Sequence, residues 1–137
     1  MEKDSNEKKA PAYLTKISSE TFDKLKEQLL QLMVVEKKYR DRHFTAKKLA
    51  EALHTNTRYV SIVLNVRYHL NYSQFVNRLR IEEAMALLAD KRYAGLRMDE
   101  ISDMVGFANR QSFYRAFQLS TGVTPRQYQA NYIQPEK

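Results

Sequence analysis

An all-α fold is what the sequence predicts: two helix-turn-helix subdomains joined by a long linker helix, with one extra helix in front. The 137 residues include only three Gly and three Pro, too little punctuation for a turn-rich β fold. Apolar residues recur at helical spacing between capping signals, within a 43% hydrophobic content that supplies a core for one compact domain or two small ones. And one piece of the chain is written twice. LAEAL (Leu49–Leu53) aligns with ISDMV (Ile101–Val105), apolar on apolar, at an offset of 52. Beyond the next few residues the offset is 53: Val60, Val63 and Leu64 match Phe113, Ala116 and Phe117, and HLNYSQF (His69–Phe75) matches GVTPRQY (Gly122–Tyr128).

Taken in order, residues 1–13, MEKDSNEKKAPAY, are polar and predicted to be a disordered tail. Residues 14–43 hold an N-terminal helix capped by Ser18 or Ser19, and its stripe of Phe22, Leu25, Leu29, Leu32 and Met33 is expected to pack on the first helix-turn-helix. The 22/25 and 29/32 spacing also fits a heptad seam, which leaves a dimer through this helix open, but the third heptad fails at Glu36 and a monomer is expected.

Residues 44–72 form the first unit. Thr45 is placed to cap AKKLAEAL, with Leu49, Ala50 and Leu53 on one face, and Asn56 to cap a helix from Thr57 to about Arg67, with Tyr59, Val60, Val63 and Leu64 inward. Residues 73–90, SQFVNRLRIEEAMALLAD, read as the linker helix, capped by Ser73 and apolar over a wide arc through Phe75, Val76, Leu79, Ile81, Ala84, Leu87 and Leu88. Such a helix packs on several sides. Residues 97–133 repeat the pattern: a helix from Met98 to Val105 stops at Gly106, Asn109 caps a helix from Arg110 to about Ser120, and Gly122 closes it. Thr124 and Pro125, cap and first-turn proline, then start a C-terminal helix.

The net charge is +7, and the acids are unevenly placed: none stands between Glu51 and Glu82, and none between Asp103 and Glu136. These two windows carry Arg58, Arg67, Arg78 and Arg80, and Arg110, Arg115 and Arg126, with no local acid to pair them. A surface that docks on a phosphate backbone should lack acids as well as gain bases, because a carboxylate there is repelled. The plain alternative is a solvated helix face.

In a helix-turn-helix the second helix reads base edges with its outer face. In the second unit that face is Arg110, Gln111, Ser112, Tyr114 and Arg115: a fork for guanine, an amide for adenine, and Arg115 for a base or a phosphate. In the first it is Thr57, Arg58, Ser61, Ile62 and Asn65, where Ile62 suits either a thymine methyl or a protein core. The capped helix starts near Asn71, Tyr72 and Ser73, and near Thr124 and Arg126, are candidate phosphate anchors.

Other chemistries find little support. There is no cysteine, and His43, His54 and His69 stand apart and unsupported, so no metal or other cofactor is expected. No nucleophile and base, carboxylate pair or phosphate-cradling loop can be assembled, so an enzyme is not expected. The best apolar run, LLQLMVV from Leu29, is broken by Gln31 and is far short of the roughly 18 residues of a membrane span. The polar start has no apolar core for a signal peptide, and the expected location is the cytoplasm, on the nucleoid when bound.

EISDMVGFANRQSFYRAFQLSTGVTPRQY, with FTAKKLAEALHTNTRYVSIVLN and NYSQFVNRLRIEEAMALL before it, resembles the DNA-binding domain of the AraC/XylS family of bacterial transcription regulators. The resemblance covers roughly residues 44–132, and its motif in the second half is highly specific. It implies seven helices, two homeodomain-like units, and two recognition helices in successive major grooves of double-stranded DNA. It also admits RNA polymerase as a second partner.

The sequence departs from the family pattern at three places. Family members usually have glycine where His54 and His69 stand, and a Thr or Ser cap where Arg97 stands. The first unit is therefore expected to be the looser one. The residues before Phe44 are too few for the family's usual sensing domain, so direct binding of an inducer is not expected unless the chain is a fragment. A weakened first unit with Ile62 on its outer face also suggests an alternative, a helix-turn-helix repurposed for protein–protein interaction.

Overall fold

Side-chain caps set most of the helix starts. The computed structural model describes residues 17–133, and these contain seven α-helices and no strand. They are α1 (Ser19–Leu30), α2 (Ala46–Ala52), α3 (Thr57–Tyr68), α4 (Tyr72–Leu88), α5 (Met98–Val105), α6 (Arg110–Thr121) and α7 (Pro125–Tyr132). The predicted tail, residues 1–13, lies outside the described residues. No helix of the described chain is long and apolar enough to cross a membrane.

Five starts follow their sequence signals. Backbone N–H groups of Thr21, Lys48, Tyr59, Ser112 and Gln127 donate to the side chains of Ser18, Thr45, Asn56, Asn109 and Thr124, at 2.8–3.2 Å. Gln127 Oε1 accepts the Thr124 N–H in return, at 2.8 Å. Two starts are built differently. The linker helix α4 begins at Tyr72, so Ser73 lies in its first turn and is not the cap. At α5 the N-cap is Arg97, whose guanidinium has no acceptor to offer. There Glu100 reaches back to accept the Arg97 N–H at 2.8 Å, and the negative charge of Asp99 and Glu100 suits the helix N-terminus.

The repeat extends to the backbone. His54 (φ 57°) and Gly106 (φ 106°), 52 apart, are both left-handed, as are His69 (φ 59°) and Gly122 (φ 82°), 53 apart. The histidines therefore adopt the conformation a glycine would take, at about 1 kcal/mol each. Lys37 (φ 57°) is a third non-glycine residue in this region, with no warning in the sequence.

The chain divides into two compact units. The first comprises residues 17–36 and 45–72. In it α1 continues as a π-helical turn, Gln31–Val35, and both α1 and α2 pack on α3. Its buried residues are Leu25, Leu29 and Met33 of the first segment, Leu49, Ala50 and Leu53 around α2, and Val60, Ile62, Val63 and Leu64 of α3. Three of the five stripe residues, Leu25, Leu29 and Met33, are thus buried within this unit, while Phe22 and Leu32 are half-buried.

The second unit comprises residues 37–44 and those from Ser73 onward. Its core joins Ile81, Ala84 and Leu88 of α4, Met98, Ile101 and Val105 of α5, Phe107 of the turn, and Phe113 and Phe117 of α6. Phe107, Phe113, Phe117, Tyr128 and Tyr132 form a continuous row with successive ring centroids 4.7–5.8 Å apart, two of the contacts edge-on. Burial of Phe113 and Phe117 contributes about 1.5–3 kcal/mol each.

Residues 37–44 correct the sequence reading, which placed all of 14–43 against the first unit. They form a strap on the second. Tyr39, 5% exposed, donates its hydroxyl proton to Glu83 Oε1 at 3.0 Å, and Arg40 Nε donates to the same oxygen at 3.0 Å. Lys37 Nζ stands 3.6 Å from Glu83 Oε2. In return Arg80 Nε donates to the Tyr39 carbonyl at 2.7 Å, and Arg42 Nη1 donates to the Ala108 carbonyl at 3.2 Å. Burial and the Glu83 hydrogen bond push the Tyr39 phenol up to about 12. Burial raises the Glu83 carboxyl too, but hydrogen bonds from Arg40 and Tyr39, with the charges of Arg40 and Lys37, outweigh it and hold the pKa below its ordinary value.

Candidate nucleic-acid interface

The exposed face of α6 is fixed from behind and from its start. Phe113 and Phe117, both fully buried, anchor one side of the helix, so residues 110, 111, 115, 118 and 119 face solvent. At its start Asn109 caps Ser112 N through Oδ1, and the buried Ser102 of α5 donates its hydroxyl proton to the Asn109 carbonyl at 3.2 Å. Arg42 holds the neighbouring Ala108 carbonyl. The turn of the helix-turn-helix is therefore pinned on both sides of residue 109.

Of the residues the sequence picked out here, Arg110, Gln111, Ser112 and Arg115 are exposed. Tyr114 is half-buried, edge-on to Phe113 at 5.9 Å, and its ring lies 5.8 Å from the Arg110 guanidinium. That contact holds the Arg110 guanidinium without an acid. Arg110, Gln111, Arg115, Gln118, Leu119 and Arg126 line a concavity of about 650 Å³. Gln118 and the 83% exposed Leu119 went unnoticed in the sequence, although spacing of three and four residues from Arg115 puts them on the same stripe.

In the first unit Thr57, Arg58, Ser61 and Asn65 are exposed on α3. Ile62 is 1% exposed and is withdrawn as a base reader: it belongs to the core, the second of its two readings. The helix is buried from Val60 through Leu64 at every position except Ser61, so its polar face is narrower than that of α6.

The expectation that the window arginines lack partners needs correcting at two positions. Arg78 pairs with Glu82 at 3.5 Å, one helical turn on, and Arg80 is committed to the Tyr39 carbonyl and lies 5.6 Å from the Phe107 ring. Among the described residues Arg58, Arg67, Arg110, Arg115 and Arg126 form no ion pair, and Arg67 lies 5.1 Å from the ring of Tyr68. Of the phosphate-anchor candidates, Asn71 and Ser73 are exposed, Tyr72 is half-buried, and Arg126 is exposed on the wall of the α6 concavity. The Thr124 N–H and hydroxyl oxygen are both used by the reciprocal cap with Gln127, leaving its hydroxyl proton as the donor for a ligand.

The chain matches a family model described as a helix-turn-helix domain over residues 49–131. It is 32% identical over 93 residues to YobQ, an HTH-type transcriptional regulator of Bacillus subtilis, an alignment covering 68% of this chain and 37% of the relative. The chain thus spans little more than a third of that relative. Among solved structures, the C-terminal domain of AraT, a response regulator from Geobacillus stearothermophilus, matches with a TM-score of 0.70 at 24% identity, covering 82% of this chain and 88% of that one. A transcriptional regulator from Chromobacterium violaceum with an AraC-type DNA-binding domain matches with a TM-score of 0.69 at 18% identity, covering 87% and 100%. At those identities the two structures show a shared fold.

Proposed function

This chain belongs to the AraC-type helix-turn-helix family of transcription regulators, and from that premise we propose that it is a sequence-specific binder of double-stranded DNA that inserts α3 and α6 in successive major grooves. One observation carries the reading: the outer face of α6 is rigidly held, free of acids and exposed, with Arg110, Gln111 and Arg115 converging beside Arg126 on one concavity. A forked guanidinium and an amide on one face are the donors that distinguish guanine and adenine in the major groove. The chain acts as a monomer and without a cofactor in the cytoplasm, on the nucleoid when bound, with RNA polymerase as its second partner there.

The test is selection of bound duplexes from a random pool, followed by titration of Arg110→Ala. The substitution is expected to weaken binding to the selected sequence by about 1–3 kcal/mol and to relax preference at one base pair. Equal loss on every duplex would make Arg110 a phosphate contact. The protein-interaction alternative has lost one of its motives with the burial of Ile62, and a salt-insensitive or absent response to DNA is the result that would revive it.

A further inference from the structure

A second concavity of the same unit, about 380 Å³, shares Arg110 and Arg126 with the first. Its other polar walls are Arg97 and Asp99 at the start of α5 and Gln129 of α7. Gln129 Nε2 is buried and has no hydrogen-bond partner. Buried polar groups are nearly always paired, so a buried amide donor without an acceptor, on the wall of a cavity, points to an acceptor that arrives from outside.

The chemistry of that acceptor follows from the lining. Three guanidiniums offer donors alone, and the Gln129 amide adds its unpartnered Nε2 donor. The carboxylate of Asp99 is engaged by Arg97 Nε at 3.2 Å, and three positive charges against one negative leave the cavity with a charge of +2. An oxyanion with several acceptor oxygens satisfies this set; a cation or an uncharged sugar does not. Arg97 itself adds to the case. It occupies an N-cap position that favours a hydroxyl or a short carboxylate or amide, and Glu100 has taken over the capping. The guanidinium, which meets Asp99 through Nε, keeps its terminal N–H groups for a ligand.

We propose that this cavity is a phosphate seat, in which Arg97, Arg126 and Gln129 hold one backbone phosphate of the duplex and so fix the register of α6 in its groove. This rests on the DNA-binding reading above. It adds Arg97 and Gln129 as positioning residues that contact backbone and not bases, and it makes Arg126 their partner.

The experiment is a salt titration of the full chain against a duplex recovered by random-pool selection and a scrambled duplex of equal length. Arg97→Ala is expected to make the plot of log affinity against log salt shallower by about one on both duplexes, and Arg97→Lys to restore the slope. Gln129→Glu, which sets a carboxylate against the phosphate, is expected to weaken both duplexes at least tenfold while thermal unfolding still shows a folded chain. An Arg97→Ala slope equal to that of the parent overturns the seat, as does a loss confined to the selected duplex, which would make Arg97 a base reader. A free phosphate-bearing small molecule has the same chemistry, so the Gln129 side-chain amide resonance is followed with inorganic phosphate. Phosphate that binds equally well with and without saturating duplex overturns the proposal in favour of a free anion. A parent chain that binds no duplex at any salt overturns the DNA reading and the seat together, whereas binding with an unchanged Arg97→Ala slope overturns the seat alone.

Discussion

Gly106 has two reasons to be glycine, and only one of them was readable in the sequence. Its φ of 106° lies where a side chain is strained, as its place after Val105 at a helix end suggests. The second is contact: a Cβ added there would stand 2.8 Å from the Arg40 carbonyl oxygen and closer still to that of Tyr39, both backbone atoms of the strap. Gly122, left-handed too, has open space around the same atom. Gly106→Ala is therefore expected to destabilise the chain by about 2–4 kcal/mol, against about 1 kcal/mol for Gly122→Ala, by chemical denaturation. Equal losses at the two positions would mean that the strap does not press on the turn. The same scale explains why Ile62 could not be placed from the sequence. Helical spacing put it on the outer face, and whether such a residue is covered depends on neighbours that spacing does not reveal.

At the scale of elements, the strap of residues 37–44 joins α4 to the turn before α6: Glu83 of α4 holds Tyr39 and Arg40, and Arg42 holds the Ala108 carbonyl. The depressed Glu83 pKa means that its carboxylate stabilises the fold, so this contribution is present above the unfolded value and disappears as pH falls through the folded one. For Tyr39 the pKa is raised, to about 12, so its contribution is complete below the ordinary value of 10.0 and is lost as pH climbs from there towards 12. Glu83→Gln is expected to cost about 1–2 kcal/mol at neutral pH, the lower part of the range for a charged hydrogen bond because Arg40 is half exposed. In urea melts the gap between parent and variant should narrow as pH is lowered below the ordinary carboxylate range and the parent carboxylate takes up its proton. A gap that persists at acid pH would assign the loss to packing. Helices, by contrast, were legible because their determinants are local: Ser18, Thr45, Asn56, Asn109 and Thr124 each act on an N–H three residues away. Ser73 misled because a serine at the second position of a helix looks, in sequence, like a serine just before it.

At the scale of the whole molecule, the DNA-binding mode proposed above has both units reading bases. Arg58 of α3 and Arg110 of α6 lie in different units and share no partner among the described residues. On a selected duplex their alanine substitutions should therefore add within about 0.5 kcal/mol, each weakening binding and each relaxing a different base pair. An Arg58→Ala variant with the preference of the parent would leave α6 as the sole reader. The sequence by itself determined the helices, five of their caps, the internal repeat and the acid-free face of α6. All of these arise from interactions between residues a few positions apart or from the period of the helix. Only the tertiary structure decided that residues 37–44 brace the second unit, that Arg78 and Arg80 are committed to other partners, and that Arg97 meets Gln129 across a cavity. Those contacts join residues 27 to 66 positions apart, apart from the local Arg78–Glu82 pair, and no periodicity links such distant positions until packing brings them together.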